Sequence, residues 1–153
     1  MYKRQTYGRL ADTASVCLPK GLGAPVGSVL VASAERIAAA RLWRKRLGGG
    51  MRQVGVLAAA GAYALDHHLE RLAEDHEHAR LLASLLGVDP AGVHTNMVVL
   101  DGVDADALVP AARAQGVLIG HVGPRRVRLV THLDVDRAGV ERAAKVLTEL
   151  IAR

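Results

Sequence analysis

The stretch Ser15-Val16-Cys17-Leu18-Pro19-Lys20-Gly21-Leu22-Gly23-Ala24-Pro25-Val26-Gly27-Ser28 decides how the rest of the chain is read. It opens in one short apolar run, 14–18, and leads into a second, β-branched one, 28–32. Pro19, Gly21, Gly23 and Pro25 break the pattern between them. Runs of this kind predict two strands buried inside an α/β layer, joined by a tight turn. Lys20 sits on that turn. It is the sole charged residue between Asp12 and Glu35, in a chain with four lysines against sixteen arginines. A lysine isolated among small residues between buried strands is expected to be partly desolvated, which frees its amine to attack a carbonyl and form a Schiff base. The flanking glycines keep bulk away from a flat ring. The competing reading is a lysine whose head reaches solvent from a turn.

Outward from this turn, Ser33 is placed to cap a helix with Ile37, Ala40 and Leu47 on one face, and Gly48-Gly49-Gly50 ends it. Met51-Arg52-Gln53 opens a small-residue helix over 58–65, and a long amphipathic helix is predicted over 66–86. That helix carries Leu69, Leu72, Ala73, His76, Ala79, Arg80 and Leu82 at spacings of three and four. Strands follow at 95–100 and 117–120, with a helix over 104–115 between them. Residues 126–131 alternate as a strand with Val127, Leu129 and Thr131 on one side and Arg128 and Val130 on the other. A last helix, 135–152, is capped by Asp134 or Asp136. The chain divides into 1–5, a piece of an α/β layer over 6–65, a connecting helix over 66–87, and a small β-α-β-β-α unit over 88–153.

Two more features bear on chemistry. The glycine run before Arg52, preceded by Arg44, Lys45 and Arg46, is the densest basic patch. Exposed amides at a helix start would make it a phosphate site, and a solvated helix end is the alternative. Arg128 lies within a strand, where its planar fork suits a carboxylate, unless it points at water from a sheet edge.

Composition narrows the classes. A net charge of +5 invites nucleic acid, but the arginines are scattered and the chain has one Trp, three Tyr and no Phe, so stacking platforms are missing. The core must therefore be built from Ala, Val, Leu and Ile. One cysteine, Cys17, excludes an internal disulfide and is read as packing. No histidine pair has helical metal-site spacing; Glu74 and His78 do, as a two-ligand pair only. The helix bearing His67, His68, His76 and His78 is read as a solvated surface, with no metal. The polar N-terminus has no signal-peptide layout, and a membrane span would have to bury Lys20, so the chain is expected in the cytoplasm. Met1-Tyr2-Lys3-Arg4-Gln5 matches a transposase sequencing adapter translated from a GTG start (GTG-TAT-AAG-AGA-CAG), so these residues are expected to carry no biology.

The 15–28 stretch resembles the cofactor-lysine segment of the low-specificity L-threonine aldolases. So do Trp43-Arg44-Lys45-Arg46-Leu47-Gly48-Gly49-Gly50-Met51-Arg52-Gln53, Arg71-Leu72-Ala73-Glu74-Asp75-His76 and Arg128-Leu129-Val130-Thr131-His132-Leu133, in the same order. Pro19 departs from the pattern, which has Ser before the lysine. The resemblance implies the C-terminal portion of a fold-type-I pyridoxal-phosphate enzyme: the end of the large-domain sheet plus an α+β small domain. It further implies aldol cleavage of threonine, allo-threonine and related β-hydroxy-α-amino acids to glycine and an aldehyde. Lys20 would hold pyridoxal 5'-phosphate, Arg128 the substrate α-carboxylate, and Lys45 and Arg52 would lie near an active site, that of a neighbouring subunit in a homotetramer. The family's base, ring-stacking histidine and pyridine-binding aspartate lie upstream of the lysine, so this chain alone is expected to have little or no activity. A related lyase (a phenylserine aldolase or β-eliminating lyase) and an inactive fragment are the alternatives.

Overall fold

The computed structural model describes residues 4–152, so Met1 to Lys3 of the adapter-like stretch lie outside the described residues. The chain forms two compact units, 1–69 and 70–153.

In the first unit a short helix α1 (Arg4–Gly8) precedes an antiparallel pair, β1 (Thr13–Cys17) and β2 (Ser28–Ala32), with Cys17 opposite Ser28. This corrects one expectation. The two apolar runs are strands, but they form a two-stranded hairpin whose residues stay exposed, apart from a half-buried Ala32. Cys17 is exposed too, its Sγ 3.8 Å from the Ser28 hydroxyl, and does not pack in a core. Helix α2 (Ala34–Arg46) starts where Ser33 predicts, with the Ser33 Oγ accepting from the Arg36 N–H. Ile37 and Ala40 are half-buried and Leu47 is exposed. Helix α3 (Gly55–His67) follows and buries Gly61 and Ala64.

The predicted 66–86 helix is broken. After α3 the chain turns through residues 68–71, and α4 (Leu72–Leu85) begins in the second unit. Its buried face is Asp75, Ala79, Leu82 and Ala83, rotated from the predicted one; Ala73 and Arg80 are exposed. A 3-10 turn (Pro90–Gly92) leads to β3 (Met97–Asp101), α5 (Ala105–Ala114), β4 (Gly120–Gly123), β5 (Arg126–Val130) and α6 (Arg137–Ile151). This is the expected β-α-β-β-α order. The fourth strand begins at Gly120, where 117–120 was predicted, and α6 is capped by Asp136 through the Gly139 N–H.

The sheet order is β3-β5-β4, all antiparallel neighbours, with helices on one face. The core between the layers is Ala79, Leu82, Val98, Leu100, Leu108, Val127, Leu129, Val140 and Leu147 with smaller neighbours, all aliphatic. The 126–131 alternation holds: Val127, Leu129 and Thr131 are buried, while Arg128 and Val130 face outward. Three helices end alike, and for one reason. Gly48, Gly87 and Gly116 have φ of 82°, 72° and 76°, a region open to glycine without penalty. In each case the glycine N–H and the next one bond back to the last turn, satisfying carbonyls that would otherwise be orphaned.

Candidate active site

The 18–27 loop is built around Leu18. Its N–H donates to the Gly27 carbonyl at 3.0 Å, its carbonyl accepts from the Ala24 N–H at 3.2 Å, and its buried side chain lies over Gly61 of α3. A β-carbon added to Gly61 would stand 3.0 Å from Leu18 Cδ1, so only glycine leaves that seat open without displacement. Leu22 and Ala24 are buried as well. Within the loop, Lys20 to Gly23 form a tight turn closed by the Gly23 N–H on the Lys20 carbonyl at 2.8 Å, with Gly23 at φ 68°. The Lys20 side chain is exposed and has no ion pair among the described residues. The expected partial desolvation is therefore not found. The amine stands free because the small residues around the turn bury their own apolar atoms and leave the lysine outside.

Lys45 and Arg52 lie in the same unit. Both are exposed, and neither is paired among the described residues. The Gly48 and Gly49 amides are not available to an anion, because they donate to the Lys45 and Arg44 carbonyls at 3.2 and 2.8 Å. The glycine run is thus the close of α2, and its cradle of amides is a corrected expectation. Gly50 has a different use: a β-carbon there would come within 2.7 Å of Lys45 Cδ, so the lysine stem rests on bare backbone. Gln53, beside Arg52, has φ 48°, a left-handed conformation that costs a non-glycine residue about 1–3 kcal/mol.

In the second unit Arg128 occupies the central strand, not an edge. Its cross-strand neighbours are Val99 on β3 and Gly120 on β4. A β-carbon at Gly120 would lie 3.0 Å from both Arg128 Cγ and Nε, so the arginine leans over the glycine, away from the valine. Arg126 on the same face is paired with Asp101, whose hydrogen bond and charge raise the guanidinium above its ordinary range. Arg128 has no such partner among the described residues, in a surround of Met97, Val99 and Val130.

Two groups escaped the sequence reading. Asp75 is fully buried and is held by Arg71 at 2.9 and 3.3 Å, while its backbone carbonyl accepts from the Thr131 hydroxyl at 2.6 Å. The Asn96 amide donates to the Thr131 carbonyl at 2.8 Å. These bonds clamp β5 three residues beyond Arg128. His68 is half-buried and bonded to the Leu22 carbonyl, and His78 has a buried Nδ1 without a partner, so the histidine-bearing helical stretch is not simply a solvated surface. Among the described residues no group of three or more His, Cys, Asp or Glu could hold a metal, and no helix is long and apolar enough to cross a membrane.

The architecture, a lysine turn followed by a three-stranded α+β unit, is that of the C-terminal half of fold-type-I enzymes. A chain from Listeria monocytogenes assigned as an L-allo-threonine aldolase superposes with a TM-score of 0.71 at 18% identity, over 97% of this chain and 47% of that one. An Exiguobacterium chain described as an aromatic amino acid beta-eliminating lyase/threonine aldolase gives 0.69 at 18% identity, over 95% of this chain and 46% of that one. The profile of the beta-eliminating lyase family matches residues 2–104, and the chain belongs to that family. In sequence it is 46% identical over 147 residues to the low specificity L-threonine aldolase of Escherichia coli K12, covering 93% of this chain and 44% of the relative. It is 43% identical over 143 residues to low-specificity L-threonine aldolase 1 of Arabidopsis thaliana, covering 86% and 40%. The chain thus spans less than half the length of these relatives.

Proposed function

We propose that this chain carries the cofactor lysine and the substrate-carboxylate arginine of a pyridoxal-phosphate-dependent aldolase. Its substrates are L-threonine, L-allo-threonine and related β-hydroxy-α-amino acids, cleaved to glycine and an aldehyde. The observation that supports this is Lys20: an exposed, unpaired amine on a turn whose neighbours are pinned by buried Leu18, Leu22 and Ala24. The donor set fits the cofactor. A primary amine meets the aldehyde, and the unpaired cations Lys45 and Arg52 suit a phosphate, in the family's manner that of a neighbouring subunit's site within a cytoplasmic homotetramer.

When bound, pyridoxal phosphate supplies an electron sink that lets the Cα–Cβ bond break heterolytically. The protein residues orient and exchange protons around it. Arg128 takes the α-carboxylate in a bidentate grip, fixing which bond at Cα is turned toward cleavage. Lys20 offers an amine that can hold a proton near Cα once released. No residue of this chain is assigned to accept the β-hydroxyl proton, and cleavage activity is expected only when the remaining length of the relatives is supplied.

The test is reductive trapping. The purified chain is mixed with pyridoxal phosphate, treated with borohydride and mapped by peptide. Label on Lys20, lost in K20A, is expected, and label on other lysines alone would overturn the reading. With the remaining length co-expressed, threonine should then yield glycine and acetaldehyde. The name of the matched family favours one second reading, β-elimination. It would release a keto acid and ammonia in the same assay.

A further inference from the structure

The peptide unit between Leu22 and Gly23 is held at both ends. Its N–H, on Gly23, donates to the Lys20 carbonyl at 2.8 Å. Its carbonyl, on Leu22, lies 2.6 Å from His68 Nδ1. A carbonyl can only accept, so Nδ1 carries the proton and His68 donates. The backbone of Lys20 is therefore one hydrogen-bonded peptide away from the imidazole. The ring is itself oriented: Tyr63 meets it edge-on, with centroids 5.6 Å apart and planes at 88°. The His68 N–H closes the end of α3 on the Ala64 carbonyl at 2.9 Å, which fixes where the ring begins. Apart from this imidazole, only backbone hydrogen bonds and apolar side chains hold the turn among the described residues.

From this geometry we infer that His68 is a positioning residue for Lys20, setting the plane of the turn from which the amine projects. The inference rests on the reading of Lys20 as the cofactor lysine, but it can be tested without it. Removing the bond frees the Leu22–Gly23 peptide to rotate and lets the turn open; the amine then samples more directions and reacts more slowly with a bound aldehyde. Asparagine at position 68 restores a donor, because its amide nitrogen can occupy the place of Nδ1.

The experiment compares wild type, H68A and H68N of the 153-residue chain by hydrogen exchange and by borohydride trapping of pyridoxal phosphate. Loss of one hydrogen bond, at about 1 kcal/mol, corresponds to roughly a five-fold rise in opening. The Gly23 and Ala24 amides of H68A should exchange about that much faster and those of H68N near the wild-type rate, with the amides of α3 unchanged. Trapping at Lys20 should fall by a similar factor in H68A and recover in H68N. Unchanged turn exchange in H68A would overturn the inference, as would loss of protection throughout α3, which would make His68 a general structural residue. If no protein traps the cofactor at Lys20, the proposed function fails while the exchange data still decide the role of His68.

Discussion

Thr131 shows how a single hydroxyl can join two elements. It is buried, donates to the Asp75 carbonyl, and sits in the residue pair with Asn96 that continues the β3–β5 ladder. Replacing it with valine keeps the shape and removes the buried hydrogen bond that ties the backbone of α4 to the strand, at about 1 kcal/mol. T131V should lower the melting temperature by several degrees, since a unit of this size loses roughly 4–8 °C per kcal/mol. Thr148 offers the contrast. Its hydroxyl bonds the Ala144 carbonyl one turn back in its own helix and joins no second element, so T148V should cost less than about 0.5 kcal/mol. Calorimetry on the two variants checks both. At this scale the turn that carries Lys20 and the outward face that carries Arg128 were legible, because a Gly/Pro break in one case and strict alternation in the other are local patterns. Asp75 and His68 were hidden. An aspartate on a helix reads as surface, and the partner that gives His68 its role lies 46 residues away.

Among the elements, the helix ends carry the sharpest expectation. Gly87 has φ 72° and nothing within 4 Å of a would-be β-carbon, so alanine there meets backbone strain alone, about 1 kcal/mol. Gly92 also has open space but no left-handed φ, so G92A should be neutral or slightly stabilising. Urea titration of the two variants separates them: the G87A midpoint should fall and the G92A midpoint should not. Periodicity placed the strands and helices from β3 onward to within a few residues. It failed between 66 and 72 because apolar residues continue at helical spacing through the break. What ends α3 is not a glycine or proline but contacts made by side chains: His68 toward Leu22, and Arg71 folding back on Asp75.

The molecule as a whole is unequal in its two units. Residues 70–153 enclose a continuous aliphatic core, whereas among the described residues of the first unit burial is limited to Leu18, Leu22, Ala24, Gly61 and Ala64. Amides of β3 and β5 should therefore exchange orders of magnitude more slowly than those of β1 and β2, which mass-resolved hydrogen exchange will read directly. Equal protection in the two strand pairs would contradict this. The two strands of the first unit were legible as the apolar runs 14–18 and 28–32. The exposure of β1 and β2 was not, because an apolar run records what a strand prefers to touch and not whether a neighbour is present to touch it. Edges of this kind pair readily with other chains, so self-association should rise steeply with concentration.

Leu18 seated over Gly61 has a consequence for portability. The lysine turn takes its height above α3 from a bare spot on a helix more than forty residues later, so the two travel as one part. Grafting residues 13–32 into another scaffold would carry the reactive amine but not its footing. In a library that varies position 61, alterations in amine behaviour should surface from a site that never meets a ligand.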